Sequence, residues 1–147
     1  MSNDNNESSI STKSIINRIL VPEHQRINLI ADLIGAYFPL QLEPAIFSFA
    51  SQLSEDYSGG YWNFYTLSNG GFYMAPDSTG RFQVVSLNGH ECMMSADALG
   101  ITSCLFAYSH LSFGQGDFSE TCAEHYHLLR EYAFTHAEAG NIFRAID

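Results

Sequence analysis

The groups in this 147-residue chain that could do chemistry are six histidines, three cysteines and sixteen carboxylates, and few of them stand together. His90 and Cys92 lie two apart on a segment that reads as a strand, so they share a face, but two ligands fall short of a metal site. His125 and His127 are also two apart, on a segment that reads as a helix. There the spacing turns the rings in different directions, unlike a pair spaced by four. A buried thiol beside a partly buried imidazole accounts for the first pair without a metal. Glu55-Asp56 is an adjacent carboxylate pair at a predicted helix end, where solvation explains it. Cys92, Cys104 and Cys122 are odd in number, far apart and without a C-x-x-C, a pattern that suits free thiols in a reducing compartment. Gly114-Gln115-Gly116 lacks the later glycine and the preceding strand of a nucleotide fingerprint. No serine occupies a G-x-S-x-G elbow, and the H-x-E…P-C-x-x-C pattern of zinc deaminases is missing. The residues therefore point to no catalytic constellation, no metal and no cofactor.

Acid and aromatic surface are what the chain has in quantity. Its net charge is −10, with Lys13 the single lysine. That argues against direct nucleic-acid binding, which needs clustered cations. Surplus acid serves solubility in most proteins. It also admits a second reading, imitation of a polyanion, for which Glu120, Glu124 and Glu131 offer one helical stripe. No signal-peptide core and no apolar run long enough to span a bilayer are present, so a cytoplasmic protein is expected.

The elements that must position these groups follow from periodicity. Residues 1–11 are polar and expected to be a disordered tail, with residues 12–147 one domain. Ile15, Ile16, Ile19 and Leu20 are spaced for one or two helical turns. Glu23 to Ala36 reads as a helix with Ile27, Ile30, Leu33 and Ile34 on its buried stripe, and Glu43 to Leu53 as a second, with Pro44 in its first turn. Tyr57 to Pro76 is an aromatic hairpin that includes the only tryptophan, Trp62. Asn69-Gly70 predicts a two-residue turn, pairing Thr66 with Tyr73 and Tyr65 with Met74. One face then carries Tyr61, Asn63, Tyr65, Leu67, Phe72 and Met74, and the other Trp62, Phe64, Thr66, Tyr73 and Ala75. Asn88-Gly89 predicts a second such turn, giving a meander of about four strands. Ser95 caps a helix that has no charge after Asp97 and is therefore buried on most sides. Ser119 is expected to cap the next helix, and a short one ends the chain. The fold class is α+β, a small antiparallel sheet packed with helices from the N- and C-terminal parts.

Four stretches resemble a known family. They are Val21 to Arg26 (VPEHQR), the hairpin GGYWNFYTLSNGGFYMAP, Met94 to Ile101 (MSADALGI), and the ending HYHLLREYAFTHAEAGNIFRAID. Together they are similar to the antirestriction proteins of the ArdB/KlcA type, over nearly the whole chain from Val21 to Asp147. The resemblance implies a small cytoplasmic α+β protein carried on plasmids, phages or genomic islands. Such a protein shields incoming DNA from the host's type I restriction–modification machinery, without enzymatic activity or cofactor. The family is not generally regarded as one of DNA mimics. The match together with the missing catalytic set leads to the expectation of inhibition through protein contact, with an acidic DNA mimic as the alternative. The matching positions singled out for partner binding are Arg26, Tyr57, Tyr61, Trp62, Phe64, Tyr65, Asn69 and Asp147. Phe64 and Tyr65 also fit a core role, Tyr61 and Trp62 fit either, and Arg26 and Asp147 could equally pair with each other.

Overall fold

The computed structural model describes residues 15–147, so the tail read as disordered lies outside the described residues. Strand β1 (Arg18–Leu20) leads through a tight turn into helix α1 (Arg26–Leu33). A wide helical turn, Phe38–Leu42, then opens α2 (Glu43–Leu53). Four strands follow, β2 (Trp62–Leu67), β3 (Phe72–Pro76), β4 (Arg81–Val85) and β5 (Glu91–Ser95). Helices α3 (Ala96–Ser112), α4 (Asp117–Ala133) and α5 (Ala139–Ile146) complete the chain. The α+β class read from the sequence holds. The four central strands, however, divide between two sheets, one ordered β1-β2-β3 and the other β4-β5. The segment expected as a helical turn before Pro22 supplies β1, because tertiary pairing with β2 overrides a weak local pattern.

Both hairpin registers differ by one residue from the expected ones. Each Asn-Gly pair ends a three-residue loop instead of forming a two-residue turn. Leu67 accepts from Gly70 N–H and donates to Gly71 O, both at 2.9 Å; Ser86 does the same with Gly89 and His90. Gly70 and Gly89 take the left-handed conformation that this loop requires, at φ 95° and 92°. Asn69 and Asn88 brace it by accepting the N–H two residues on, from Gly71 and His90. Tyr65 therefore faces Tyr73, and Phe64 faces Met74. A slip of one exchanges every side chain of β3 between faces. Trp62 and Phe64 thus share a face with Phe72 and Met74, and the rings of Phe38, Phe64 and Phe72 meet edge to face. Tyr65 and Tyr73 stack on the opposite face.

Helix α3 is the centre of the helical layer, as its lack of charge predicts. Ser95 Oγ caps it by accepting from Ala98 N–H at 3.1 Å. It lies along the otherwise unpaired edge of β3. Tyr108 Oη donates to Phe72 O at 2.8 Å and Cys104 Sγ to Met74 O at 3.6 Å. A buried edge of unpaired carbonyls is costly, and these side chains satisfy it while closing the sheet on that side. Helix α4 begins at Asp117 after Gly116, not after Ser119, which is buried within its first turn.

Candidate partner-binding site

Arg26 opens α1 and turns back over the start of β2. Its Nη2 donates to Tyr61 Oη at 2.7 Å and to Trp62 O at 2.9 Å. The guanidinium carbon sits 4.1 Å from the centre of the Phe64 ring and 4.9 Å from that of Tyr61. Two hydrogen bonds and two aromatic faces leave this planar cation little freedom. Trp62 Nε1 in turn donates to Tyr57 Oη at 3.0 Å, and its ring meets Phe47 and Tyr57 edge-on. The fold thus joins Arg26, Tyr57, Tyr61, Trp62 and Phe64 into one cluster. Within it the roles separate: Trp62 and Phe64 are 4% and 6% exposed and belong to the core, whereas Tyr61 is 49% exposed.

An open groove of about 540 Å³ adjoins the cluster, walled by α1, the turn after it, the first residue of α2 and Phe64. Its lining is apolar apart from Arg26 and Glu43. Burial raises the Glu43 carboxyl above the ordinary value, partly offset by the charge of Arg26, yet no ion pair joins the two among the described residues. Ile27, expected on the buried stripe of α1, is 84% exposed at this groove. Only the C-terminal half of α1, through Ile30, and Ile34 just after it reach the core, so helical spacing named the right face but not how far the core extends beneath it.

The other candidates lie elsewhere. Tyr65 is on the opposite face of β2, under Arg18 at 4.3 Å. Asn69 is at a hairpin tip, where its Nδ2 donates to Leu128 O of α4 at 2.9 Å. Asp147 does not pair with Arg26; its carbonyl, with that of Arg144, accepts from Asn88 Nδ2 at 3.0 and 2.7 Å. The two loop asparagines therefore fasten the two hairpins to the last two helices. Asn69→Ala should lower stability by about 1–2 kcal/mol, the cost of leaving the Gly71 N–H and Leu128 O contacts unmade, measured by urea denaturation.

One polar constellation escaped the sequence because its members come from four separate segments. Asp97 in the first turn of α3 accepts from Arg18 Nη1 at 2.6 Å and from Tyr73 Oη at 2.8 Å through one oxygen, and from His136 Nε2 at 2.8 Å through the other. His136 Nδ1 accepts the backbone N–H of Glu138 at 2.9 Å, which fixes the Nε2–H tautomer. Both ring nitrogens are thus engaged, and Asp97 and His136 form a clamp rather than an acid–base pair. Burial alone would raise the Asp97 carboxyl, but the bonds from His136 and Tyr73 and the charge of Arg18 hold it below its ordinary value. The thiols are equally quiet. Burial pushes Cys104 up to about 12 and Cys122 to about 11, and raises Cys92 with help from Glu138. Thiolate is scarce at all three near neutral pH.

The model of a family described as antirestriction protein matches residues 55–147. The antirestriction protein KlcA of Escherichia coli is 40% identical over 131 residues, covering 87% of this chain and 92% of that protein. The chain belongs to the antirestriction protein family. A further relative, the uncharacterized protein YafX of Escherichia coli strain K12, is 46% identical over 132 residues, 86% of this chain and 85% of its own length. A solved structure superposes with a TM-score of 0.83 at 38% identity, covering 90% of this chain and 95% of that one. It is described as showing that the KlcA and ArdB proteins have a novel fold and antirestriction activity against type I DNA restriction systems in vivo but not in vitro. The resemblance and the fold class read from the sequence are both upheld. The antirestriction family match takes in every candidate residue except Arg26, which precedes it.

No helix among the described residues of this antirestriction family member is long and apolar enough to cross a membrane.

Proposed function

We propose that this protein relieves type I restriction of incoming DNA in the cytoplasm by contacting a protein, without catalysis. The observation that carries the reading is the fold match to the KlcA and ArdB proteins. Their activity in vivo but not in vitro favours inhibition that depends on a further component of the cell. The Arg26–Tyr61 face supplies side chains of the kind that dominate protein interfaces: arginine and tyrosine beside a buried tryptophan, with exposed Ile27 adjoining. Expression in a host with an active type I system should raise the plating of unmodified phage. No rise, with the protein soluble and folded, would remove the reading.

Mimicry of DNA remains the second reading, favoured by one observation: Asp117, Glu120, Glu124 and Glu131 are all exposed along α4. The combined variant Glu120→Lys, Glu124→Lys discriminates. Restriction relief that survives it leaves protein contact, whereas loss with the fold intact favours mimicry.

A further inference from the structure

We propose that the groove beside Arg26 receives an apolar segment of a partner protein that presents a carboxylate to the guanidinium. The proposal rests on the protein-contact reading above and names the chemistry of that partner.

Arg26 Nε is buried and has no hydrogen-bond partner among the described residues. An arginine is always charged, so a guanidinium with unanswered donors at the wall of an open groove invites an anionic acceptor. Nη2, on the same side of the fork as Nε, is already committed to Tyr61 Oη and Trp62 O, which leaves Nη1, neither buried nor paired among the described residues, as the donor a partner can reach. Those bonds, with Phe64 beneath, hold the plane in place before any partner arrives, which reduces the ordering cost of binding. A guanidinium held in this way offers a carboxylate its Nη1 donors and its charge. Glu43 does not fill that role, since no ion pair joins it to Arg26.

The rest of the groove selects an apolar carrier for the carboxylate. Ile27, Ile30, Pro39 and Phe64 line it, and its volume of about 540 Å³ would take two or three apolar side chains. Exposed Ile27 and Tyr61 carry the surface outward, and Leu40 beside Pro39 is 71% exposed. That extent favours a protein segment over a small molecule. A nucleic acid is disfavoured by a single cation in the groove of a chain of net charge −10.

The test titrates the full-length protein, isotope-labelled at isoleucine methyls and arginine side chains, with N-acetyl-leucyl-leucine and with its C-terminal amide. The acid should shift the Ile27 and Ile30 methyls and the Arg26 guanidinium N–H signals saturably, and the amide should bind about tenfold more weakly. Ile27→Asp alters only an exposed side chain, so it should fold normally, lose the acid and lose restriction relief in cells. Arg26→Lys keeps the charge without the fork and should also bind the acid more weakly. Equal affinity for acid and amide, shifts confined to another surface, or full restriction relief by folded Ile27→Asp would overturn the proposal. So would binding that appears only after residues 1–14 are removed, because it would assign the groove to the chain's own N-terminus. If the wild-type protein relieves no restriction, the functional reading fails separately, and the titration still reads the groove.

Discussion

Gly100→Ala should destabilise the protein by about 3 kcal/mol or more, a large part of the 5–15 kcal/mol that holds a domain of this size together. In an exposed helix the same change stabilises by about 1 kcal/mol, because alanine is the better helix former. Packing reverses the sign here. A Cβ at Gly100 would lie 2.5 Å from both Met74 O and Ala75 Cα, which are backbone atoms of β3. They cannot yield as a flexible side chain would, so α3 must move away from the strand. That movement stretches the bonds from Tyr108 to Phe72 O and from Cys104 to Met74 O and reopens the strand edge they cover. Urea denaturation followed by Trp62 fluorescence measures the loss. Gly140→Ala is the matched control. It lies exposed in α5 with only Arg144 Nη1 near, at 4.0 Å, and should be neutral or stabilising by about 0.5 kcal/mol. Equal stability of the two variants would show that α3 does not depend on this close approach.

Asp97→Asn should cost about 2–3 kcal/mol at neutral pH, because it removes the anion that Arg18, Tyr73 and His136 all address. The lower part of the range for a buried pair applies, since a quarter of the Asp97 side chain is exposed. The effect also has a pH signature. The folded carboxyl titrates below its ordinary value of 3.8, so between the two values the unfolded chain binds more protons than the folded one. Asp97 therefore contributes fully above about pH 4–5, and its contribution fades as pH falls through the folded value. Wild type and Asp97→Asn should differ most near neutrality and converge in acid. A gap that stays constant down to pH 3 would mean that Asp97 acts through packing and not through charge.

Much of this architecture was legible because it is local. Ser95 announces the start of α3, Pro44 the first turn of α2, and the uncharged run after Asp97 a helix buried on nearly every side. Family membership was legible for the same reason, since it is carried by contiguous motifs. The hairpin register was not. Asn-Gly serves two-residue and three-residue loops alike, and the choice follows from where Asn69 and Asn88 anchor, on the carbonyls of Leu128 and of Arg144 and Asp147, some sixty residues away. The division of the strands into two sheets was hidden likewise, since β1 exists only through its pairing with β2.

The same division runs through the candidate site. Composition and order alone determined an acidic α+β antirestriction protein with an aromatic hairpin, because net charge, periodicity and motif are properties of neighbouring residues. Tertiary structure alone decided that Trp62 lies inside and Tyr61 outside, that Arg26 is seated on Phe64 with a buried donor unanswered, and that Ile27 overhangs an open groove. Each of these depends on which distant segment lies opposite, and burial and hydrogen-bond satisfaction are settled only when those segments meet.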